Sequence, residues 1–304
     1  MGCLGAWVLK HLVARGERPV SFDMSENRSR LNLLMASEEQ AQIDFVTGDL
    51  GDHAQVERAM LEHDVTRIIH LGALQIPFCR ENPVAGARVN VLGTAHIFEA
   101  ARKAGVCHIA YASSAAVYGP PERYPTRIVP ATAQLEPETL YGVFKQANEG
   151  TAKVYWLDHS VSSVALRPYT VYGVGRDQGL TSEPSSAMLA AARRQDYHIS
   201  FGGKMQFHYA SDVARQFIQA ADVPSKGAAV HNLGGESVSL TEVARIIEEV
   251  AGTRVTHADT PLPFPDGFEG DTRQDPPPTP LGEGIRATIR QFEVCLDRGL
   301  FDPK

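Results

Sequence analysis

The chain has 304 residues, 43% of them hydrophobic, a formal net charge of −7 and four scattered cysteines; this size suits one large α/β domain, or a large and a small lobe that share a core. The acidic balance argues against nucleic acid or an anionic membrane as a partner, and the cysteines, which form no Cys-x-x-Cys pair, indicate a reduced compartment without structural metal. Because no apolar run reaches the ~18 residues of a membrane span and no secretory leader is expected, we predict a cytoplasmic protein.

The chain is predicted to begin with a helix. Two glycines, Gly2 and Gly5, are followed by apolar residues at helical spacing from residue 6 to a glycine at residue 16. A predicted strand over residues 18–23 then ends in a carboxylate, Asp23. An acid about 20 residues beyond a glycine turn is where dinucleotide-binding proteins accept hydrogen bonds from the adenosine ribose hydroxyls.

Asp23 therefore favours NAD over NADP. Two nearby arginines, Arg28 and Arg30, leave NADP open, because an arginine at this place could contact a 2′-phosphate. Solvated charges on a loop explain these two arginines better than a phosphate contact does.

Predicted strands and helices then alternate, which indicates a parallel sheet covered by helices. Further strands are predicted at residues 43–46, 67–71, 106–112 and 163–167. Beyond residue 167 the composition shifts toward Gly, Pro, Ser and Asp and the periodicity weakens. We therefore expect a cofactor-binding domain of residues 1–167, to which residues 211–232 return, and a mainly substrate-binding lobe of residues 168–304. A last amphipathic helix is predicted at residues 284–298, after a proline-rich linker.

The most informative residues follow the strand at 106–112. Ser113 and Ser114 open a turn at its carboxyl end, and Tyr141 and Lys145 lie on a later helix. Residues four apart project from one helix face, so this tyrosine and lysine can contact the same bound molecule. A lysine beside a phenol favours the phenolate, which predicts a tyrosine pKa well below the usual value of about 10. A Tyr-x-x-x-Lys pair alone is also compatible with an amphipathic helix and a snorkelling lysine.

The longer string Ser-Ser-Ala-Ala-Val-Tyr-Gly, residues 113–119, followed by Tyr141 and Lys145, resembles the extended short-chain dehydrogenase/reductase superfamily, in its nucleotide-sugar epimerase and dehydratase branch. The resemblance covers nearly the whole chain. It implies a Rossmann-type doubly wound parallel sheet with a smaller C-terminal substrate lobe, and a catalytic serine at Ser114. It also implies a homodimer formed through helices at residues 84–103 and 140–157.

In the resembled family a strand and a Thr-Gly-x-x-Gly-x-x-Gly turn precede the first helix. Gly2 and Gly5 match the second and third glycines of that turn. The first strand would then be truncated, and the strands ending at Asp23 and near Leu71 would each leave an edge unpaired. We expect roughly 8 to 12 further residues upstream, an apolar strand and its turn.

The same resemblance implies the other cofactor contacts. Asp49 and Leu50 follow the strand at 43–46 and would lie at the adenine, although Asp49 could instead cap the helix that begins near residue 53. The remaining contacts would come from the turns after later strands and from one helix: Leu71, Gly72, Ala73, Asn90 and Pro168. An asparagine at position 90 is more often structural than catalytic in the family.

Substrate contacts are expected from Gln75, Ser114 and His208, and from a polar loop that follows the nicotinamide-side turn. That loop contains Arg176, Asp177 and Gln178. Loops beside a rigid sheet often determine substrate specificity, so these side chains are candidates for substrate contacts. Simple exposure of all three to solvent is an equal alternative.

Nucleotide-sugar members usually carry an arginine for the diphosphate where this chain has Met205, which offers no donor. A second such arginine usually lies in the tail, which looks shortened in this chain, although Arg273 could substitute for that one. A sugar, a sugar acid or another polyol is therefore as compatible with the sequence as a nucleotide sugar.

The expected reaction is hydride transfer between NAD and a secondary alcohol of a carbohydrate-like substrate. Tyr141 would take the hydroxyl proton, Lys145 would lower the tyrosine pKa and hold the nicotinamide ribose, and Ser114 would bind the same oxygen. Related dehydratases have an acid pair where this chain has Ala115 and Ala116, which argues against dehydration. Epimerisation and dehydrogenation stay open. A dinucleotide-binding scaffold or redox sensor is the alternative, although such proteins typically lose the tyrosine or the lysine.

Overall fold

The computed structural model describes residues 1–270 and 277–301. The strands are β1 Val20–Asp23, β2 Asp44–Thr47, β3 Ile68–His70, β4 His108–Ala112, β5 Ile128–Val129, β6 Ser162–Arg167, β7 Thr170–Tyr172, β8 Tyr197–Ile199, β9 Lys204–Tyr209, β10 Ala228–Asn232, β11 Ser237–Ser239, β12 Val255–His257 and β13 Gly267–Phe268. The α-helices are α1 Cys3–Ala14, α2 Ser29–Asn32, α3 Ser37–Gln40, α4 His53–Glu62, α5 Ile76–Glu81, α6 Pro83–Ala87, α7 Gly93–Ala104, α8 Leu140–His159, α9 Glu183–Ala192, α10 Ala210–Asp222, α11 Leu240–Ala251 and α12 Leu281–Asp297.

The central sheet is parallel and is divided into two parts. β10, β6, β4 and β3 lie side by side in that order, and β1 pairs with β2 separately. Within the described residues β1 and β3 have no strand on the edges that face each other. The predicted alternation of parallel strands and helices is confirmed, and the strand bounds differ from the prediction by one or two residues.

Helices cover both faces of this sheet. On one face α1 packs against α10, and the apolar stripe of α1, from Ala6 to Leu9, is buried. On the other face α4 and α7 pack together and α8 packs against β6, enclosing a second cluster around Phe98 and Ile109. Burial of such stripes is the main term that stabilises the layers.

The core under α1 and α10 continues into the C-terminal half of the chain. It includes Met188 on α9, Ile247 on α11 and Ile285 on α12, so the N-terminal and C-terminal halves of the chain share one apolar interior. Smaller sheets form there from β7, β9 and β11, from β8 and β12, and from β5 and β13. The predicted last helix is found as α12. Arg273 lies outside the described residues, and none of the described helices is both long and apolar enough to span a membrane.

Candidate active site

The start of α8 is pressed against the turn that follows β4. The Thr139 hydroxyl accepts a hydrogen bond from the Gly142 amide at 3.0 Å and caps the helix. A Cβ atom on Gly142 would lie 2.0 Å from the carbonyl oxygen of Ala116. Only a glycine permits this approach, and it brings Tyr141, the preceding residue, to the end of β4.

Ser114 stands opposite Tyr141. It leaves β4 in an extended conformation and opens a short 3₁₀ turn, Ala115–Val117, with its Oγ accepting the Ala116 amide at 3.1 Å. Burial raises the pKa of the Tyr141 phenol, while a hydrogen bond from the Ser114 side chain and the positive charge of Arg176 act in the opposite direction. The prediction of a phenol that titrates below its usual range is wrong for this structure, because burial outweighs both.

Lys145 lies one turn further along α8 and is 3% exposed. Its Nζ donates to the carbonyl oxygen of Ala112 at 2.6 Å and lies 5.6 Å from the centroid of the Tyr141 ring. Burial lowers the pKa of this lysine to about 8. The lysine is therefore held beneath the end of β4, on the face of α8 that also carries the tyrosine.

The neighbouring Ser113 has a different environment. Its hydroxyl donates to Glu149, which forms a buried ion pair with Arg167 at 2.6 Å. Arg167 in turn donates to the Tyr118 hydroxyl at 2.9 Å. This network fixes β4, β6 and α8 together, and it was missed from the sequence, although Glu149 lies four residues beyond Lys145 on the same helix face.

A cavity of about 760 Å³ runs from the gap between β1 and β3 to Tyr141. Most of the predicted site residues border it: Gly2, Gly5, Asp23, Leu50, Leu71, Gly72, Ala73, Gln75, Ser114, Tyr141, Lys145, Pro168 and Arg176. The structure thus brings together residues that are up to 174 positions apart in the sequence.

Two predicted cofactor residues lie outside this cavity. Asp49 accepts the Gly51 amide at 2.7 Å and pairs with Arg88 at 2.6 Å, whereas the cap of α4 is Asp52. Asn90 is buried and binds both the amide and the carbonyl of Leu74, at 2.7 and 2.8 Å. Asn90 therefore holds the turn after β3 in place.

Three predicted substrate residues also lie away from the cavity. Asp177 is exposed and pairs with Arg30 at 2.6 Å, and Gln178 is exposed. His208 is buried in β9, its Nε2 has no hydrogen-bond partner among residues 1–270 and 277–301, and burial lowers its pKa to about 4. Met205, on the same strand, is 1% exposed and lies in the core, where its sulfur accepts a contact from the Thr170 hydroxyl at 3.2 Å.

The groove along the carboxyl ends of the strands fits a dinucleotide. Gly2 precedes α1, and among the described residues no other atom lies within 4 Å of the position that its Cβ would take. The first-turn amides of a helix bind phosphate groups favourably. Asp23 at the end of β1 accepts the Ser25 amide at 2.9 Å and lies 3.3 Å from the amino group of Met1, which leaves its carboxylate further lone pairs for ribose hydroxyls.

Comparisons with known proteins agree with this geometry. Residues 1–234 match the NAD dependent epimerase/dehydratase family. The chain is 27% identical over 293 residues to the UDP-glucose 4-epimerase of Azospirillum brasilense, with 90% of this chain and 80% of that protein covered. It is 27% identical to the UDP-glucose 4-epimerase of Mycolicibacterium smegmatis, with 96% of each covered. Among solved structures, MoeE5 in complex with UDP-glucose and NAD is similar with a TM-score of 0.79 at 27% identity, over 97% of both chains. These matches confirm the predicted Rossmann-type fold.

Proposed function

This chain belongs to the NAD-dependent epimerase/dehydratase family, as its sequence resemblance predicted, and we propose that it is an enzyme that transfers hydride reversibly between NAD and a secondary alcohol of a sugar, a sugar acid or a nucleotide sugar. The product is either the released carbonyl compound or, if the carbonyl compound takes the hydride back within the site, an epimer. Dehydration is not proposed, because Ala115 and Ala116 supply no acid or base and both are buried.

The observation that carries this proposal is that Ser114, Tyr141 and Lys145 border one cavity. The tyrosine oxygen is the group that accepts the proton of the substrate hydroxyl, and Ser114 donates a hydrogen bond to the oxygen as its carbonyl character develops. Lys145 would bind the nicotinamide ribose. Because the pKa of Tyr141 is raised, we expect alcohol oxidation to accelerate as the pH rises above neutral.

When bound, NAD supplies the nicotinamide carbon that accepts or returns the hydride. Gly2 and Gly5 at the start of α1 would contact its pyrophosphate, Asp23 its adenosine ribose, and the apolar side chains Leu50 and Leu71 its adenine side. MoeE5 was solved with NAD in complexes with UDP-glucose and with UDP-glucuronic acid, which supports the assignment.

The test is a spectrophotometric assay of NADH formation with a panel of polyols, sugar acids and nucleotide sugars, coupled to product analysis for epimers. Tyr141→Phe removes only the oxygen that transfers the proton, so we expect turnover to be abolished and NAD affinity to stay close to that of the wild type. Near-normal turnover in this variant would show that the tyrosine is not catalytic. Tight NAD binding without turnover of any compound in the wild type would favour a dinucleotide-binding scaffold or redox sensor instead.

A further inference from the structure

We propose that Arg176 and Gln75 form a subsite for a carboxylate with a neighbouring hydroxyl group, so that the substrate is a small sugar acid rather than a nucleotide sugar. This inference rests on the hydride-transfer function proposed above and specifies its substrate.

Arg176 borders the cavity and lies on an anchored loop. It follows β7 through a turn in which Gly173 and Gly175 adopt positive φ angles of 132° and 84°. The carbonyl of Val174, between them, accepts a hydrogen bond from the Trp7 indole at 3.0 Å, so α1 anchors the loop. A cation on a fixed loop can orient a substrate instead of following it.

The guanidinium lacks the partners that a half-buried charge normally has. Among the described residues, its Nε is buried without a hydrogen-bond partner, and its Nη2 contacts only the Thr181 hydroxyl, at 3.3 Å. The adjacent carboxylate, Asp177, is paired with Arg30. A desolvated guanidinium without a carboxylate is unfavourable, and a bound anion would satisfy it.

Gln75 provides the second half of the subsite. Its Oε1 is also buried without a partner among the described residues. A Cβ built on Gly179 would lie 2.1 Å from this oxygen and 3.1 Å from Nη2 of Arg176, so both groups lie beside Gly179, and both residues border the cavity. A planar guanidinium binds a carboxylate through two parallel hydrogen bonds, and the amide oxygen can accept from a hydroxyl on the next carbon.

This subsite lies close to the reacting oxygen. Arg176 is near enough to Tyr141 for its charge to act on the phenol, and both residues border the same cavity. The carboxylate would therefore lie a few atoms from the carbinol that is oxidised. Met205, buried in the core, offers no charge to a diphosphate, which favours a small acid over a nucleotide sugar.

The experiment measures NADH formation from aldonates of four to six carbons, each paired with the alditol of equal carbon number, and from UDP-glucose. We expect at least one aldonate to exceed its alditol in kcat/KM. Arg176→Gln should raise KM for that aldonate about 10- to 100-fold, the range of a lost charge-assisted contact, with less change in kcat or in the Kd for NAD. Arg176→Lys keeps the charge but not the paired hydrogen-bond geometry, so its KM for the aldonate should lie between the values of the wild type and of Arg176→Gln. Arg127→Gln, whose side chain is 78% exposed, is the matched control and should leave every constant within about twofold.

Three outcomes overturn the inference, and they separate it from the proposed function. If only UDP-glucose turns over, or if Arg176→Gln leaves KM for the acid unchanged, hydride transfer stands and the carboxylate subsite is refuted. If Arg176→Gln weakens NAD binding as much as it raises KM, the arginine contacts the cofactor instead. If the wild type binds NAD and turns over no compound, the proposed function fails and the subsite fails with it.

Discussion

Gly142→Ala tests whether the close contact between α8 and the turn after β4 is what positions Tyr141. The added Cβ would lie 2.0 Å from the Ala116 carbonyl oxygen and 2.8 Å from the Pro137 Cβ, whereas ordinary contacts begin at 3.4 Å. The closest atom is backbone and cannot rotate away. The start of the helix must therefore move by about 1 Å or more relative to the turn that carries Ser114.

A misplacement of about 1 Å commonly reduces turnover about 100-fold, and overpacking of this kind costs about 1–3 kcal/mol of stability. Replacing glycine by alanine within a helix returns about 0.5–1 kcal/mol, so the net loss of folding free energy should be modest while the loss of kcat is large. We expect kcat to fall about 100-fold and the free energy of unfolding to fall by about 1–2 kcal/mol.

Gly150→Ala is the matched control, because Gly150 lies on the same helix and a Cβ there would meet nothing within 4 Å. This control should keep the wild-type kcat and gain about 0.5–1 kcal/mol of stability. The assay is kcat with the substrate that the panel identifies, together with urea unfolding followed by circular dichroism. A Gly142→Ala enzyme with nearly full kcat would refute the positioning role of this contact.

Further predictions concern the cofactor, pH, the divided sheet and self-association. Asp23 should repel a 2′-phosphate, so we expect the wild type to have a larger Kd for NADP than for NAD, and Asp23→Asn to make the two Kd values more alike. A wild type that binds NADP more tightly than NAD in calorimetric titration would contradict this. The pKa of His208 is lowered to about 4 in the folded protein. Below about pH 6.5 the unfolded chain therefore binds a proton at this histidine that the folded chain does not bind. The free energy of unfolding should consequently fall by roughly 2–3 kcal/mol between pH 7 and pH 4. His208→Gln should lose part of this dependence, and identical pH dependence of Tm in both proteins would refute the assignment. Fusing an apolar strand of about six residues before Met1 should fill the gap between β1 and β3 and raise Tm. A Gly-Ser segment of equal length should leave Tm unchanged. Equal Tm values for the two fusions would show that the gap does not accept a strand. Val84 and Leu157 are 78% and 67% exposed on the helices where a homodimer was expected, so the wild type should sediment as a dimer and Leu157→Glu as a monomer, and a monomeric wild type would refute the interface.

Much of the fold could be predicted from the sequence because its elements are encoded locally. The alternation of apolar runs with helical patterns placed five of the six described strands of the central sheet within one or two residues, all except β10. The spacing of Tyr141 and Lys145 placed both on one face of α8. These features depend on backbone periods of two and 3.6 residues, which are visible in any short window of the chain. The serine, tyrosine and lysine at the cavity were named from the family resemblance of residues 113–119, 141 and 145, because the spacing of the tyrosine and lysine alone also fits an ordinary amphipathic helix.

What only the tertiary structure decided is which polar side chains reach the cavity and what surrounds them. Asp177 was expected at the substrate, but it is paired with Arg30, which lies 147 positions away. Its neighbour Arg176 borders the cavity, and the Nε of Arg176 has no hydrogen-bond partner in the part of the chain that the structure describes. His208 was expected there too, and β9 packs it into the interior. The raised pKa of Tyr141 follows from the burial of its ring, which no local pattern reports. Partners and desolvation arise from contacts between segments distant in sequence, and these contacts exist only once the sheet, its helices and the C-terminal half of the chain have packed together.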